Sequence, residues 1–87
     1  PYTRYVISGE INSRVADTKA ATEGVEKSYS SSQVTIDYLD GLTVNGDTWW
    51  FNLRPSNTEP LLRLNVEAST QAQMETVRDG VLSLIRS

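Results

Sequence analysis

Residues 48–68 read Thr48-Trp49-Trp50-Phe51-Asn52-Leu53-Arg54-Pro55-Ser56-Asn57-Thr58-Glu59-Pro60-Leu61-Leu62-Arg63-Leu64-Asn65-Val66-Glu67-Ala68. Two runs of strand-forming residues flank a heptapeptide that begins at Arg54 and ends at Pro60. Side chains alternate between the faces of a strand, so Trp49, Phe51 and Leu53 share one face of the first run while Trp50, Asn52 and Arg54 share the other. The second run repeats the pattern, with Leu62, Leu64, Val66 and Ala68 on one side and Leu61, Arg63, Asn65 and Glu67 on the other. The apolar sets predict a core face. The polar sets predict a second face that carries no such core.

Working outward toward the N-terminus, Asn45-Gly46-Asp47 is expected to form a tight hairpin turn into the aromatic strand, because Asn-Gly accepts the positive backbone angles such turns use. Val34, Ile36 and Tyr38 alternate with Thr35 and Asp37, and Leu42 and Val44 follow Asp40-Gly41, which reads as another hairpin. The polar run from Ser28 to Gln33 interrupts both periodicities and reads as a connection. Before it, Asp17 suits the cap of a helix reaching about Tyr29, with Ala21, Val25 and Tyr29 recurring every four residues. Tyr5 to Asn12 has β-branched and aromatic character around Gly9, predicting a first strand with a bulge or close contact at the glycine.

Toward the C-terminus, Thr70 and Gln73 have capping-box spacing. Met74, Val77, Val81, Leu84 and Ile85 then fall at three- and four-residue intervals along a helix, and Arg86 suits the negative end of its dipole. One sheet covered by two helices gives every apolar stripe a partner. The fold class is therefore α+β: a two-layer domain with one mostly antiparallel four-stranded sheet and two main helices.

The chain has 87 residues, enough for one domain with one core. Hydrophobic residues make up 38% and charged residues 22%, the profile of a globular domain. Eight Lys and Arg against 11 Asp and Glu give a formal charge of -3, which argues against broad binding to nucleic acid or anionic membrane but leaves room for a local basic pocket. No cysteine and no histidine are present. That excludes disulfides, thiolate catalysis and the commonest zinc ligands and general base. No apolar run approaches the roughly 20 residues of a membrane span, and no signal peptide is apparent, so a cytoplasmic setting is expected. A start at Pro1 suggests a piece of a longer polypeptide.

The heptapeptide has the chemistry of an anion site. Arg54 offers a planar, permanently charged fork of donors, Ser56 and Thr58 offer hydroxyls, and Asn57 offers amide protons; together they can meet several oxygens of one phosphate. Pro55 and Pro60 restrict the chain at either end. Taken alone, the same residues are also the vocabulary of surface turns, in which Ser56 and Asn57 shape the backbone and Glu59 pairs with Arg54 or Arg63.

Arg54 to Pro60 followed by Leu61 to Ala68 resembles the C-terminal-domain signature of the alpha-D-phosphohexomutase superfamily, most like bacterial phosphomannomutases. Ser8-Gly9-Glu10-Ile11-Asn12, Gly24-Val25-Glu26-Lys27 and Asp40-Gly41-Leu42-Thr43-Val44 resemble the surrounding pattern, so the likeness covers nearly the whole chain. It implies that residues 1–87 are the C-terminal substrate-phosphate-binding domain of a larger phosphomannomutase or phosphoglucomutase, with a TATA-box-binding-protein-like fold. It further implies that the parent interconverts hexose 6-phosphate and hexose 1-phosphate through glucose or mannose 1,6-bisphosphate. The phosphoserine and Mg²⁺ would lie in other domains, leaving this domain without catalytic residue, metal or cofactor and inactive alone. By the same resemblance Arg54, Ser56, Asn57 and Thr58 hold the non-reacting phosphate, with Glu59 and Arg63 in support. The expected partners are hexose phosphate and the other domains of the polypeptide.

Two other function classes compete. Trp49, Trp50 and Tyr38 suggest an aromatic patch for a protein-interaction or structural module. A nucleic-acid module lacks the cluster of lysines and arginines it would need.

Overall fold

The computed structural model describes residues 5–31, 33–38, 41–56 and 58–86. Its elements are β1 (Val6–Ile7), β2 (Ile11–Arg14), α1 (Thr18–Tyr29), β3 (Thr35–Asp37), β4 (Leu42–Asn45), β5 (Trp49–Pro55), β6 (Leu61–Ala68) and α2 (Gln71–Ile85). The two half-polar runs pair antiparallel as β5 and β6, with Phe51 opposite Val66 and Leu53 opposite Leu64. β4 and then β3 extend the sheet beyond β5, while β1 and β2 both pair with the far edge of β6. Every pairing is antiparallel. The α+β class with two helices holds, but the sheet has six strand segments rather than the expected four.

Part of the difference in count comes from Gly9. Ile7 lies opposite Glu67 and Ile11 opposite Leu64, so four steps along the N-terminal segment match three along β6. The extra residue makes a bulge around Gly9, whose φ of 78° is a left-handed conformation that glycine adopts without strain. The bulge also changes which residues face inward. Before it the inward set has even numbers, starting at Val6; after it the set is Ile11, Ser13 and Val15. The other part is β3, a short edge strand whose Ile36 lies opposite Val44 and packs on the core.

The core forms between one sheet face and the two helices. Leu42, Val44, Phe51, Leu53, Leu62, Leu64, Val66 and Ala68 are buried on that face, against Val25 of α1 and Met74, Val77, Val81 and Ile85 of α2. At about 1.5–3 kcal/mol for each large apolar side chain removed from water, this cluster is the main source of stability. Tyr29 meets the Phe51 ring edge-on with centroids 5.1 Å apart, and Trp49 lies parallel to Phe51 at 6.1 Å. These contacts fasten the end of α1 to the sheet.

Both helix caps form as expected. Asp17 Oδ1 accepts from the amides of Lys19 and Ala20, each at 3.1 Å, and Thr70 Oγ1 accepts from the Gln73 amide at 3.1 Å. The Gln73 side chain takes a different direction from the capping box: its Oε1 accepts from Thr48 at 2.8 Å and from Ser69 at 3.3 Å, tying α2 to the β4–β5 turn. Leu84 lies outside the buried stripe, 37% exposed. Arg86 donates from its guanidinium to the buried Ser13 Oγ at 3.2 Å, while its backbone N–H closes the helix end on Leu82 O at 3.0 Å.

The β4–β5 turn is displaced from its expected position. Gly46 N–H bonds to Trp49 O at 2.8 Å, leaving Asp47 and Thr48 at the tip. Among the described residues positive φ occurs only at Gly9 and Gly41, so Gly46 does not use the conformation that Asn-Gly turns favour. Its role is spatial: a Cβ there would fall inside the Trp49 indole.

Candidate functional site

The sheet face away from the helices is polar by alternation, and its rows follow from register. Asp37, Thr43, Asn52 and Asn65 form one row; Arg54 and Arg63 lie directly opposite each other in the next, with Asn12 beyond Arg63. Arg54 also lines a groove of about 370 Å³ floored by Thr43, Asn52 and Asn65 and reaching Trp50, Glu67 and Ile7. Asn52 Nδ2 donates to Thr43 Oγ1 at 3.0 Å, which holds part of the floor in place.

The chain leaves β5 at Pro55 and re-enters β6 at Leu61. Ser56 N–H donates to Leu61 O at 2.9 Å, Leu61 N–H to Glu59 O at 2.7 Å, and Val15 N–H to Pro60 O at 2.9 Å. The loop is thus closed on itself and fastened to the end of β2. Thr58 N–H points to Ser56 Oγ at 3.4 Å, a long contact that leaves the hydroxyl proton of Ser56 able to donate elsewhere. Ser56 is half-buried while Thr58 and Glu59 are exposed. Glu59 shapes the loop through its carbonyl oxygen. Asn57 lies outside the described residues.

Several expected site residues therefore come together: Arg54 and Arg63 as a cross-strand pair, and Ser56 and Thr58 on the loop that links their strands. The Ser56 amide is committed to Leu61 and is not an anion donor in this arrangement. The side chains gathered at this end of the face are the Arg54 and Arg63 guanidinium groups and, on the loop, the Ser56 and Thr58 hydroxyls. Like charges directly opposite on a sheet are destabilising by themselves, and an anion over the pair would turn that repulsion into charge-assisted hydrogen bonding.

Gly41 presses β4 against this site. With φ at 73°, it lies so close to β5 that an added Cβ would sit 2.5 Å from Arg54 Cβ and 2.7 Å from Leu53 O. The backbone that presents Arg54 is therefore held from the β4 side. Sequence reading saw a turn residue there, because the strand it touches is 13 positions away.

Arg14 was also missed. The first strand was expected to end at Asn12, but β2 continues to Arg14, opposite Leu61 and diagonal to Arg63. The only sequence signal was the alternation of Ser13 and Val15 around it. The supposed aromatic patch does not assemble: Trp49 packs into the core beside Phe51, Trp50 lines the groove on the opposite face, and Tyr38 donates from the end of β3 to Glu26 of α1. That hydrogen bond, reinforced by some burial and the nearby carboxylate charge, raises the Tyr38 phenol above its ordinary value. Burial raises that of Tyr29.

Among the described residues no three His, Cys, Asp or Glu side chains come together as a metal site. No helix among them is long and apolar enough to cross a membrane.

The Phosphoglucomutase/phosphomannomutase, C-terminal domain family matches residues 10–84. A phosphomannomutase of Methanocaldococcus jannaschii is 42% identical over 84 residues, covering 97% of this chain and 18% of that protein. A protein of Xanthomonas campestris pv. campestris named for phosphohexose mutases is 45% identical over 84 residues, covering 95% of this chain and 19% of that one. A phosphomannomutase of Salmonella typhimurium is 51% identical over 75 residues, covering 86% of this chain and 16% of its own length. The chain thus spans less than a fifth of each of these relatives. With the match running from the bulge to the last turn of α2, the chain belongs to the phosphoglucomutase/phosphomannomutase C-terminal domain family.

Proposed function

We propose that this domain holds the non-reacting phosphate of a hexose phosphate within a phosphomannomutase or phosphoglucomutase. The observation that carries the reading is the Arg54–Arg63 cross-strand pair beside a loop closed by the Ser56–Leu61 hydrogen bond. Arg54 would grip two phosphate oxygens, Ser56, Asn57 and Thr58 would donate to the rest, and Arg63 would add charge from the neighbouring strand. Glu59 keeps the loop's shape and contributes no contact to the anion, which its own charge would repel.

In such an enzyme the loop does positioning work. Anchoring one phosphate presents the opposite sugar oxygen to a phosphoserine carried elsewhere, which lowers the entropic cost of reaction. The proposal follows the family in placing that serine and the Mg²⁺ on other domains and in passing through a hexose 1,6-bisphosphate. When bound, Mg²⁺ would neutralise charge on the transferring group. Ser56 is an anion donor here rather than a nucleophile, since no histidine exists in the chain to activate it. Mannose and glucose phosphates are the proposed substrates, in keeping with the names of the relatives.

The test is Arg54→Ala in the complete polypeptide, measuring mutase turnover and binding of mannose 1-phosphate and glucose 1-phosphate. Loss of a hydrogen bond to a charged group is worth about 1.5–3 kcal/mol, so binding should weaken by about 10- to 100-fold, with turnover falling as well. Unchanged binding and turnover would remove Arg54 from the site.

A further inference from the structure

We infer that Arg14 is a third arm of the anion site, reaching the loop from the β2 side and selecting the dianionic form of a phosphate monoester; this rests on the phosphate-holding reading above. Three observations orient it. Ser13 and Val15, its neighbours in sequence, are 4% and 9% exposed on the helix-covered face, so strand alternation sends Arg14 to the open face. Ser13 is fixed there by the Arg86 hydrogen bond. The Val15 amide bonds to Pro60 O at 2.9 Å, which fastens the end of β2 to the closing residue of the loop.

Register then sets the spacing. Arg14 is opposite Leu61, and Arg63 is two residues further along β6, placing the two on the diagonal at roughly 7–8 Å between backbones, within reach of long side chains. Arg54 is directly opposite Arg63 on the other side. Arg14, Arg63 and Arg54 therefore run obliquely across three adjacent strands at the end of the face where the loop emerges. A chain with formal charge -3 places three of its eight Lys and Arg residues there. Among the described residues, Glu67 is two rungs beyond Arg63 along β6, Asp37 is out on β3, and Glu10 is four positions before Arg14, at the bulge. Asp17, three positions after Arg14, is engaged as the cap of α1, and Glu59 is exposed on the loop four positions before Arg63.

A third fixed positive charge favours two negative charges on the ligand over one. A phosphate monoester loses its second proton near pH 6, so the preference is readable within an accessible range. Arg14 is exposed, and its replacement removes no core contact.

The experiment uses the complete polypeptide with inorganic phosphate and glucose 1-phosphate as probes, titrated calorimetrically at about pH 5 and about pH 7.5, on either side of that ionisation. Arg14→Gln should weaken binding roughly threefold to tenfold at the higher pH and much less at the lower, as expected for loss of one partly solvated charge. Arg14→Lys should restore most of the loss, and Lys19→Gln, which removes an exposed charge from α1, should bind as the parent does. Arg14→Gln binding like the parent while Arg54→Gln loses affinity would overturn the role of Arg14 and leave the phosphate-holding reading standing. Equal losses in Arg14→Gln and Lys19→Gln would overturn it as well, by making net charge the cause. Parent-like binding by both arginine variants would overturn the phosphate-holding reading, and this inference with it.

Discussion

Replacing Gly41 by alanine tests the link between fold and site most directly. Gly41 sits at φ 73°, and an L-residue forced there costs about 1–2 kcal/mol. The new Cβ would lie 2.5 Å from Arg54 Cβ, 2.7 Å from Leu53 O and 3.0 Å from Arg54 Cα. Two of those atoms are β5 backbone, locked between the β4 and β6 ladders, so relief requires moving a strand rather than turning a side chain. Overpacking of this kind adds about 1–3 kcal/mol, for a total of about 2–5 kcal/mol. In a domain of this size that is a fall in Tm of about 8–40 °C. Two controls divide the total. Gly9 has a similar φ of 78° with nothing within 4 Å of its would-be Cβ, so Gly9→Ala should show the backbone contribution alone, about 1–2 kcal/mol. Gly24 is in α1 with nothing within 4 Å, so Gly24→Ala should stabilise by about 0.5–1 kcal/mol. Urea unfolding of all three variants, with phosphate binding measured alongside, gives the comparison. Gly41→Ala and Gly9→Ala unfolding at the same denaturant concentration would refute the close approach of β4 to Arg54.

Phe51 is fully buried between Trp49 and Tyr29, and Phe51→Ala should cost about 3–5 kcal/mol in urea unfolding while also loosening the α1 contact. For Tyr38, the hydrogen bond to Glu26 raises the folded-state pKa above the ordinary 10.0, so the bond's contribution is fully present below that value and is lost as pH rises through the raised one. Glu26→Ala, which removes the acceptor, should bring the phenolate absorbance midpoint of Tyr38 back down and leave that of Tyr29 raised, because burial alone raises Tyr29. A Tyr38 midpoint unmoved by the change would rule out the Glu26 bond as its cause.

The parts readable in the sequence are those with local causes. Alternation in residues 49–54 and 61–68 assigned both faces of β5 and β6, because a strand's side-chain period holds wherever the strand lies. Asp17 and Thr70 marked their helix starts because a cap bonds amides two or three residues away. The Arg54–Pro60 loop stood out for its chemistry, and Arg63 followed from the pattern after it. Other features depended on contacts between distant segments. The even-to-odd change of inward residues in the first strand required β6 as a partner, and the two faces of Trp49 and Trp50 separated an apparent patch. Gly46 gave up its expected turn conformation to make room for an indole, and Gly41 met a strand that no local pattern places beside it. Arg14 is the clearest case: sequence shows one arginine between a serine and a valine, whereas the register against β6 places it in line with Arg63 and Arg54. Periodicity and caps act within a few residues, so the chain declares them itself; register and close approach arise between segments, so only the assembled sheet sets which charges meet.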